Sequence, residues 1–80
     1  MTQVTLYSRP GCHLCDDARA MLERVRAERD FDLSEVDIDA DDALLRRYDE
    51  RIPVIAIDGA EAFELLIDEP ALRERLIGAR

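Results

Sequence analysis

Two cysteines, Cys12 and Cys15, stand at the junction between a β-like segment and a helical one, and this junction limits the folds open to the chain. Residues 3–7 are β-branched and aromatic, which is typical of a strand, and residues 8–11 are turn formers. From Cys12 onward, apolar residues recur at helical spacing. Because the cysteines are only three positions apart, a bond between them cannot staple distant parts of the chain. The fold must therefore be held by an apolar core.

The first half of the chain predicts a strand, a helix and a second strand. The helical stripe runs from Cys12 to about Arg29, and residues 31–38 alternate imperfectly between apolar and acidic types, which indicates a strand at 32–37. The carboxylates within residues 39–42 then suit the N-terminal N–H groups of a short second helix. Two strands joined through a helix predict a parallel pair.

The second half predicts a hairpin and a last helix. Residues 52–57 form a β-branched run that ends at an Asp-Gly turn signal, so a hairpin is predicted with its loop at residues 58–61. Asp68 is a good N-cap, and Pro70 fits the first turn of a third helix. The element order is therefore βαβαββα, an α/β fold with a four-stranded mixed sheet and helices on both faces. Eighty residues allow a single domain over residues 1–80.

Charge and hydropathy argue against two classes of partner. The formal net charge is −8, from 19 acidic residues against 11 basic ones, and every basic residue is Arg. An acidic chain lacks the positive surface on which nucleic-acid binding depends. No apolar run approaches the roughly 20 residues that span a bilayer, and the first residues show no secretory leader pattern. We expect a cytoplasmic monomer with no nucleic-acid or membrane partner.

The position of Cys12 favours nucleophilic chemistry. Unpaired N–H groups and the helix dipole stabilise a thiolate at a helix N-terminus, which lowers the pKa of a cysteine there. Cys15 lies one helical turn later on the core side, where it can close a disulfide and is shielded from attack. We therefore predict that Cys12 attacks a substrate disulfide and that Cys15 resolves the mixed disulfide.

Other interpretations of the cysteine pair are open at this point. The two thiols could be buried core residues without chemistry. A structural zinc site needs four ligands, whereas the chain offers two Cys and the single His13, so no metal is predicted within one chain, although two chains could share one. A soft-metal module such as a copper chaperone also places C-x-x-C between a first strand and a first helix. That class differs in its βαββαβ order.

Two segments of the sequence resemble the glutaredoxins, and within them the small bacterial glutaredoxin-like proteins. Residues 7–15, Tyr-Ser-Arg-Pro-Gly-Cys-His-Leu-Cys, are similar to the glutaredoxin active-site stretch, and residues 52–54, Ile-Pro-Val, are similar to the segment before the third strand. The resemblance implies a thioredoxin-like three-layer fold, a cis peptide bond before Pro53, and thiol–disulfide oxidoreductase activity at Cys12 and Cys15. The substrates it implies are disulfide-containing proteins or small thiols.

The resemblance also assigns substrate-binding residues. Arg9 matches a basic residue that holds a glutathione carboxylate, and the backbone of Ile52 beside Pro53 can pair with an extended peptide. His13 is a candidate modulator of the Cys12 pKa. Arg9 could equally be a solvated surface group. A histidine at the position of His13 is more often only a partly exposed residue at a helix start.

Two departures from the glutaredoxin pattern predict weak use of glutathione. His13 and Leu14 replace the Pro-Tyr between the cysteines of typical glutaredoxins, so the aromatic ring beside bound glutathione is missing. The Gly-Gly turn and Asp that receive the γ-glutamyl end have no match in residues 66–70, where Pro70 lacks an N–H donor. We expect no bound cofactor, and either glutathione or thioredoxin reductase as the electron donor.

Overall fold

A four-stranded mixed sheet is the centre of the computed structural model, which describes residues 2–77. In chain order the elements are β1 (Gln3–Ser8), α1 (His13–Glu28), β2 (Asp32–Asp37), α2 (Asp42–Tyr48), β3 (Val54–Ile57), β4 (Ala60–Glu64) and α3 (Glu69–Ile77). The strand order is β2-β1-β3-β4, with β1 and β2 parallel and the other neighbours antiparallel. The predicted βαβαββα order is confirmed, and it differs from that of a copper-chaperone module. The expected domain limits, residues 1 and 80, lie outside the described residues.

Helices cover both faces of the sheet, as predicted. On one face, Leu6 and Ile55 pack with α1 and α3, and on the other, Tyr7 and Val54 pack with α2. Because neighbouring residues of a strand point to opposite faces, both faces of the two central strands are apolar. The face covered by α1 and α3 holds the larger buried cluster: Val4, Leu6, Ala18, Leu22, Val25, Phe31, Ile55, Ile57, Leu72 and Leu76.

No helix in the described part of the chain has both the length and the apolar content that crossing a bilayer requires.

The hairpin of β3 and β4 is tighter than the sequence predicts. Its turn consists of Asp58 and Gly59, which have positive φ angles of 52° and 87°. Positive φ at both central residues marks the type I′ turn of two-residue hairpins. The predicted loop over residues 58–61 is therefore wrong, because Ala60 and Glu61 already belong to β4. The low β-propensity of these two residues hides the strand, which exists because it pairs with β3.

Other element boundaries shift by a few residues. α1 begins at His13 because Cys12 is its N-cap. A short 3-10 turn, Ile38–Ala40, precedes α2, and the Asp41 side chain caps α2. β3 begins at Val54, after the proline, so the β-branched run before it is partly loop. Caps and pairing partners, rather than residue type, set these limits.

Candidate active site

Cys12 forms the N-cap of α1 and is partly exposed. Gly11 turns the chain into the helix at a φ of 79°, a left-handed conformation that glycine adopts without a Cβ clash. The Cys12 Sγ accepts a hydrogen bond from the backbone N–H of Cys15, with 3.1 Å between sulfur and nitrogen. A sulfur in this position faces unpaired helix N–H groups and the positive end of the helix dipole, which both favour a thiolate.

Cys15 lies in the first turn of α1 and is fully buried. Its sulfur is within disulfide-bonding distance of the Cys12 sulfur, and the two Cα atoms are 5.2 Å apart. Cys15 packs with Ile38, Ile52 and Val54 in the apolar cluster under α2. The pair therefore combines one accessible sulfur with one shielded sulfur, which is the arrangement that a nucleophile and a resolving thiol require.

The segment before β3 lies against this pair. The Ile52-Pro53 peptide bond is cis, which confirms the expectation taken from the resemblance. The carbonyl of Pro53 accepts from the backbone N–H of Leu65 (2.9 Å), as does the carbonyl of Arg51 (3.2 Å). The backbone N–H and carbonyl of Ile52 make no hydrogen bond with any other residue from 2 to 77. An extended polypeptide could therefore pair with Ile52 as an added strand.

Aromatic and charged side chains next to the cis-proline segment contact one another and link it to β4. The Tyr48 ring stacks on Tyr7 with 4.5 Å between centroids, and the Arg51 guanidinium carbon lies 5.2 Å from the Tyr48 centroid. The Tyr48 hydroxyl donates to Glu61 (3.0 Å), and burial together with this carboxylate raises the pKa of Tyr48. Arg51 also pairs with Glu61 and, at 2.9 Å, with Glu64 of β4. These contacts tie the residue that precedes Ile52-Pro53 to the hairpin.

A family model described as "Glutaredoxin-like domain (DUF836)" matches residues 3–77. The chain belongs to this family. Uncharacterized proteins of Mycobacterium tuberculosis and Mycobacterium bovis are 32% identical to this glutaredoxin-like chain over 76 aligned residues, which cover 89% of it and 78% of theirs.

Solved structures share the fold of this chain. An X-ray structure of a structural genomics target protein from X. campestris is 40% identical, has a TM-score of 0.78, and aligns over 96% of this chain and 99% of that one. A mutant thioredoxin from Halobacterium salinarum is 22% identical, with a TM-score of 0.69 over 94% of this chain and 71% of its own. At that identity the second match shows the thioredoxin fold alone.

Arg9 of this glutaredoxin-like protein is engaged by two carboxylates. Its guanidinium donates to Asp39 and to Asp49, each at 2.8 Å, and the hydrogen bond with Asp39 is the largest cause of its raised pKa. These pairs tie the loop before Cys12 to the 3-10 turn and to the end of α2. A glutathione carboxylate would have to compete with both partners for this one cation.

The same loop is anchored to β2 on its other side. The Ser8 hydroxyl, which is almost fully buried, donates to Glu35 at 2.7 Å. Glu35 also accepts from Arg19 of α1 at 2.8 Å, and this contact, followed by the one with Ser8, holds the pKa of Glu35 below its usual value. β1, β2 and α1 are thus joined directly below the turn that presents Cys12.

The His13 side chain has no hydrogen-bonding or ionic partner among the residues that the structure describes. His13 is exposed at the first position of α1. Across the same residues, no group of three or more His, Cys, Asp or Glu side chains is arranged to hold a metal ion. The structure brings Cys12, Cys15 and Ile52 into one cluster beside Pro53, whereas no pattern in the sequence singled out Tyr48. Its pairing with the hairpin depends on strand register, which no local pattern shows.

Proposed function

We propose that this protein reduces disulfide bonds by thiol–disulfide exchange through Cys12 and Cys15. The observation that carries the proposal is the contrast between the two sulfurs. Cys12 is a partly exposed N-cap, whereas Cys15 is fully buried at a Cα distance of 5.2 Å. Membership of the glutaredoxin-like family agrees with this chemistry.

The reaction balances in two exchanges. The Cys12 thiolate attacks one sulfur of a substrate disulfide and releases the other as a thiolate, which takes a proton from water. The Cys15 thiolate then attacks the Cys12 sulfur, and the second substrate sulfur leaves. The substrate has gained two electrons, and the protein holds the Cys12–Cys15 disulfide until an external thiol or dithiol reduces it.

Protein disulfides suit this site better than glutathione does. The free backbone groups of Ile52 can pair with an extended polypeptide, which adds main-chain hydrogen bonds beside the redox pair. Glutathione carries two carboxylates and would meet Arg9 already paired with two carboxylates. The exposed Asp68 and the chain's net charge of −8 oppose a second carboxylate.

Electron-donor preference tests this proposal. Because glutathione recognition lacks at least one charged contact, we expect turnover with thioredoxin reductase and NADPH to exceed turnover with glutathione and glutathione reductase by about tenfold or more. Both assays use the same protein disulfide as substrate, and the Cys12→Ser variant is the blank. Glutaredoxin-like rates in the glutathione assay would contradict the donor preference. Failure of the chemically reduced protein to reduce any disulfide stoichiometrically would contradict the function itself.

A lowered Cys12 pKa is the second expectation. The helix N-terminus should bring the Cys12 pKa below the free-thiol value of about 8.5. Alkylation of the reduced protein by iodoacetamide, followed over a range of pH, measures it. The Cys15→Ser variant isolates the Cys12 signal and is the matched control. A midpoint at or above the free value, or faster labelling of Cys15 than of Cys12 in the wild type, would reverse the assignment.

A further inference from the structure

Large exposed apolar side chains occur in two places, between the cysteines and directly after β4. Within residues 2–77, the large apolar side chains that stay exposed are Leu14 (40%), Leu65 (42%) and Leu66 (79%). Leu14 lies between the two cysteines. Leu65 donates its backbone N–H to the carbonyl of Pro53, and the residues on either side of Pro53 pack in the same cluster as the cysteines. Single exposed leucines are ordinary, but two in succession beside the segment that contains Pro53 need an explanation.

Leu65 also has an unfavourable backbone conformation. Its φ is 64°, in the left-handed region where a Cβ is crowded and where Gly or Asn is normally found. A leucine held there would be understandable if burial of its side chain offset the strain, but the side chain is nearly half exposed. The fold alone would be served better by glycine at this position. Strained residues of this kind occur preferentially where a side chain contacts a ligand.

We propose that Leu65 and Leu66, here called the leucine shoulder, receive a nonpolar side chain that flanks the reacting cysteine of a protein substrate. This inference rests on the proposed function and specifies its substrate class. The occupant is an extended polypeptide, because the unpaired N–H and carbonyl of Ile52 lie next to the residue that anchors Leu65. Asp68, two residues after the shoulder, is acidic and exposed, whereas the carboxylate of Glu64 on the other side is paired with Arg51. A neutral or basic apolar segment fits this surface, and an anionic tripeptide does not.

Two synthetic disulfide peptides test the shoulder. They are identical except for the residue next to the first cysteine, which is Leu in one and Ser in the other. With chemically reduced wild-type protein in single-turnover experiments, we expect the Leu peptide to be reduced about tenfold faster, the usual discrimination from one buried apolar group. In Leu65→Gly and in Leu66→Ser, the ratio of the two rates should fall to about twofold.

Stability separates a substrate-binding role from a structural one. Because glycine accepts a positive φ, Leu65→Gly should have a Tm equal to or a few degrees above that of the wild type, although its peptide selectivity is lost. Asp58→Gly is the matched control, because Asp58 also has a positive φ (52°) but lies in the turn at the far end of β3. Its two peptide rates should keep the wild-type ratio.

Three outcomes would overturn the leucine shoulder. Equal wild-type rates on the two peptides would contradict it while leaving disulfide reduction intact. A lowered Tm in Leu65→Gly, together with an unchanged rate ratio in Leu66→Ser, would assign Leu65 to the fold instead. Reduction of neither peptide by the wild type would overturn both the shoulder and the proposed function.

Discussion

Replacing Cys12 by serine is expected to lower disulfide reduction by about 10³-fold or more, because the hydroxyl of serine is not a nucleophile toward sulfur at neutral pH. Replacing Cys15 has a different result. In Cys15→Ser the first exchange still occurs at the partly exposed Cys12, but no second thiol is present to release the substrate. The mixed disulfide between Cys12 and the substrate should therefore accumulate.

Mass spectrometry under non-reducing conditions checks both results. Cys15→Ser incubated with a disulfide peptide should gain the mass of one peptide thiol and lose it again on addition of dithiothreitol. Cys12→Ser should gain none, because its remaining thiol is fully buried in the apolar cluster with Ile38 and Val54. The double variant is the blank. Equal trapping by the two single variants would mean that the structure misassigns the accessible sulfur.

Truncation of Leu22 to alanine is expected to lower the free energy of unfolding by about 3 kcal/mol, within the range of about 2–5 kcal/mol for buried leucines. Leu22 is fully buried in the middle of α1 and packs in the cluster that joins this helix to the sheet and to α3. Its loss removes apolar contacts and leaves a cavity that the surrounding β-strands can close only in part. For a domain of this size the change is a large part of a total stability of roughly 4–12 kcal/mol.

Urea unfolding measures this effect, and Leu66→Ala is the matched control. The same chemical change at Leu66, which is 79% exposed, should alter the free energy of unfolding by no more than about 0.5 kcal/mol. A loss of similar size in both variants would contradict the burial difference. A negligible loss in Leu22→Ala would mean that the helix does not pack on the sheet as described.

Several features of the fold follow from short-range physics and could be predicted. The strand at Asp32–Asp37 was predicted with the limits that the structure shows. The helix that follows Cys12 was predicted because its apolar stripe has the helical period, and its buried residues Ala18, Leu22 and Val25 lie on that stripe. The contrast between a partly exposed Cys12 and a buried Cys15 follows from helix geometry, since the first residue caps the helix and the other lies one turn inside it.

The β3–β4 hairpin shows where local reasoning fails. Ala60 and Glu61 have low strand propensity, and by themselves they favour a loop. The Asp58-Gly59 turn returns the chain directly onto β3, and pairing with that strand makes β-structure the better conformation for both residues. The predicted loop was too long because propensity describes single residues, whereas pairing depends on the partner strand.

The sequence by itself determined the element order and the placement of Cys12 at the start of α1 with Cys15 one turn inside it, because each depends on residues close together in the chain. Only the tertiary structure decided which partners Arg9 has and which backbone conformation Leu65 adopts. Arg9 meets Asp39 and Asp49 across 30 and 40 residues, which removes it as a free cation beside Cys12. Leu65 takes its left-handed conformation while its N–H bonds to the carbonyl of Pro53. Contacts between residues so far apart in the chain depend on the packed sheet, and no local pattern encodes them.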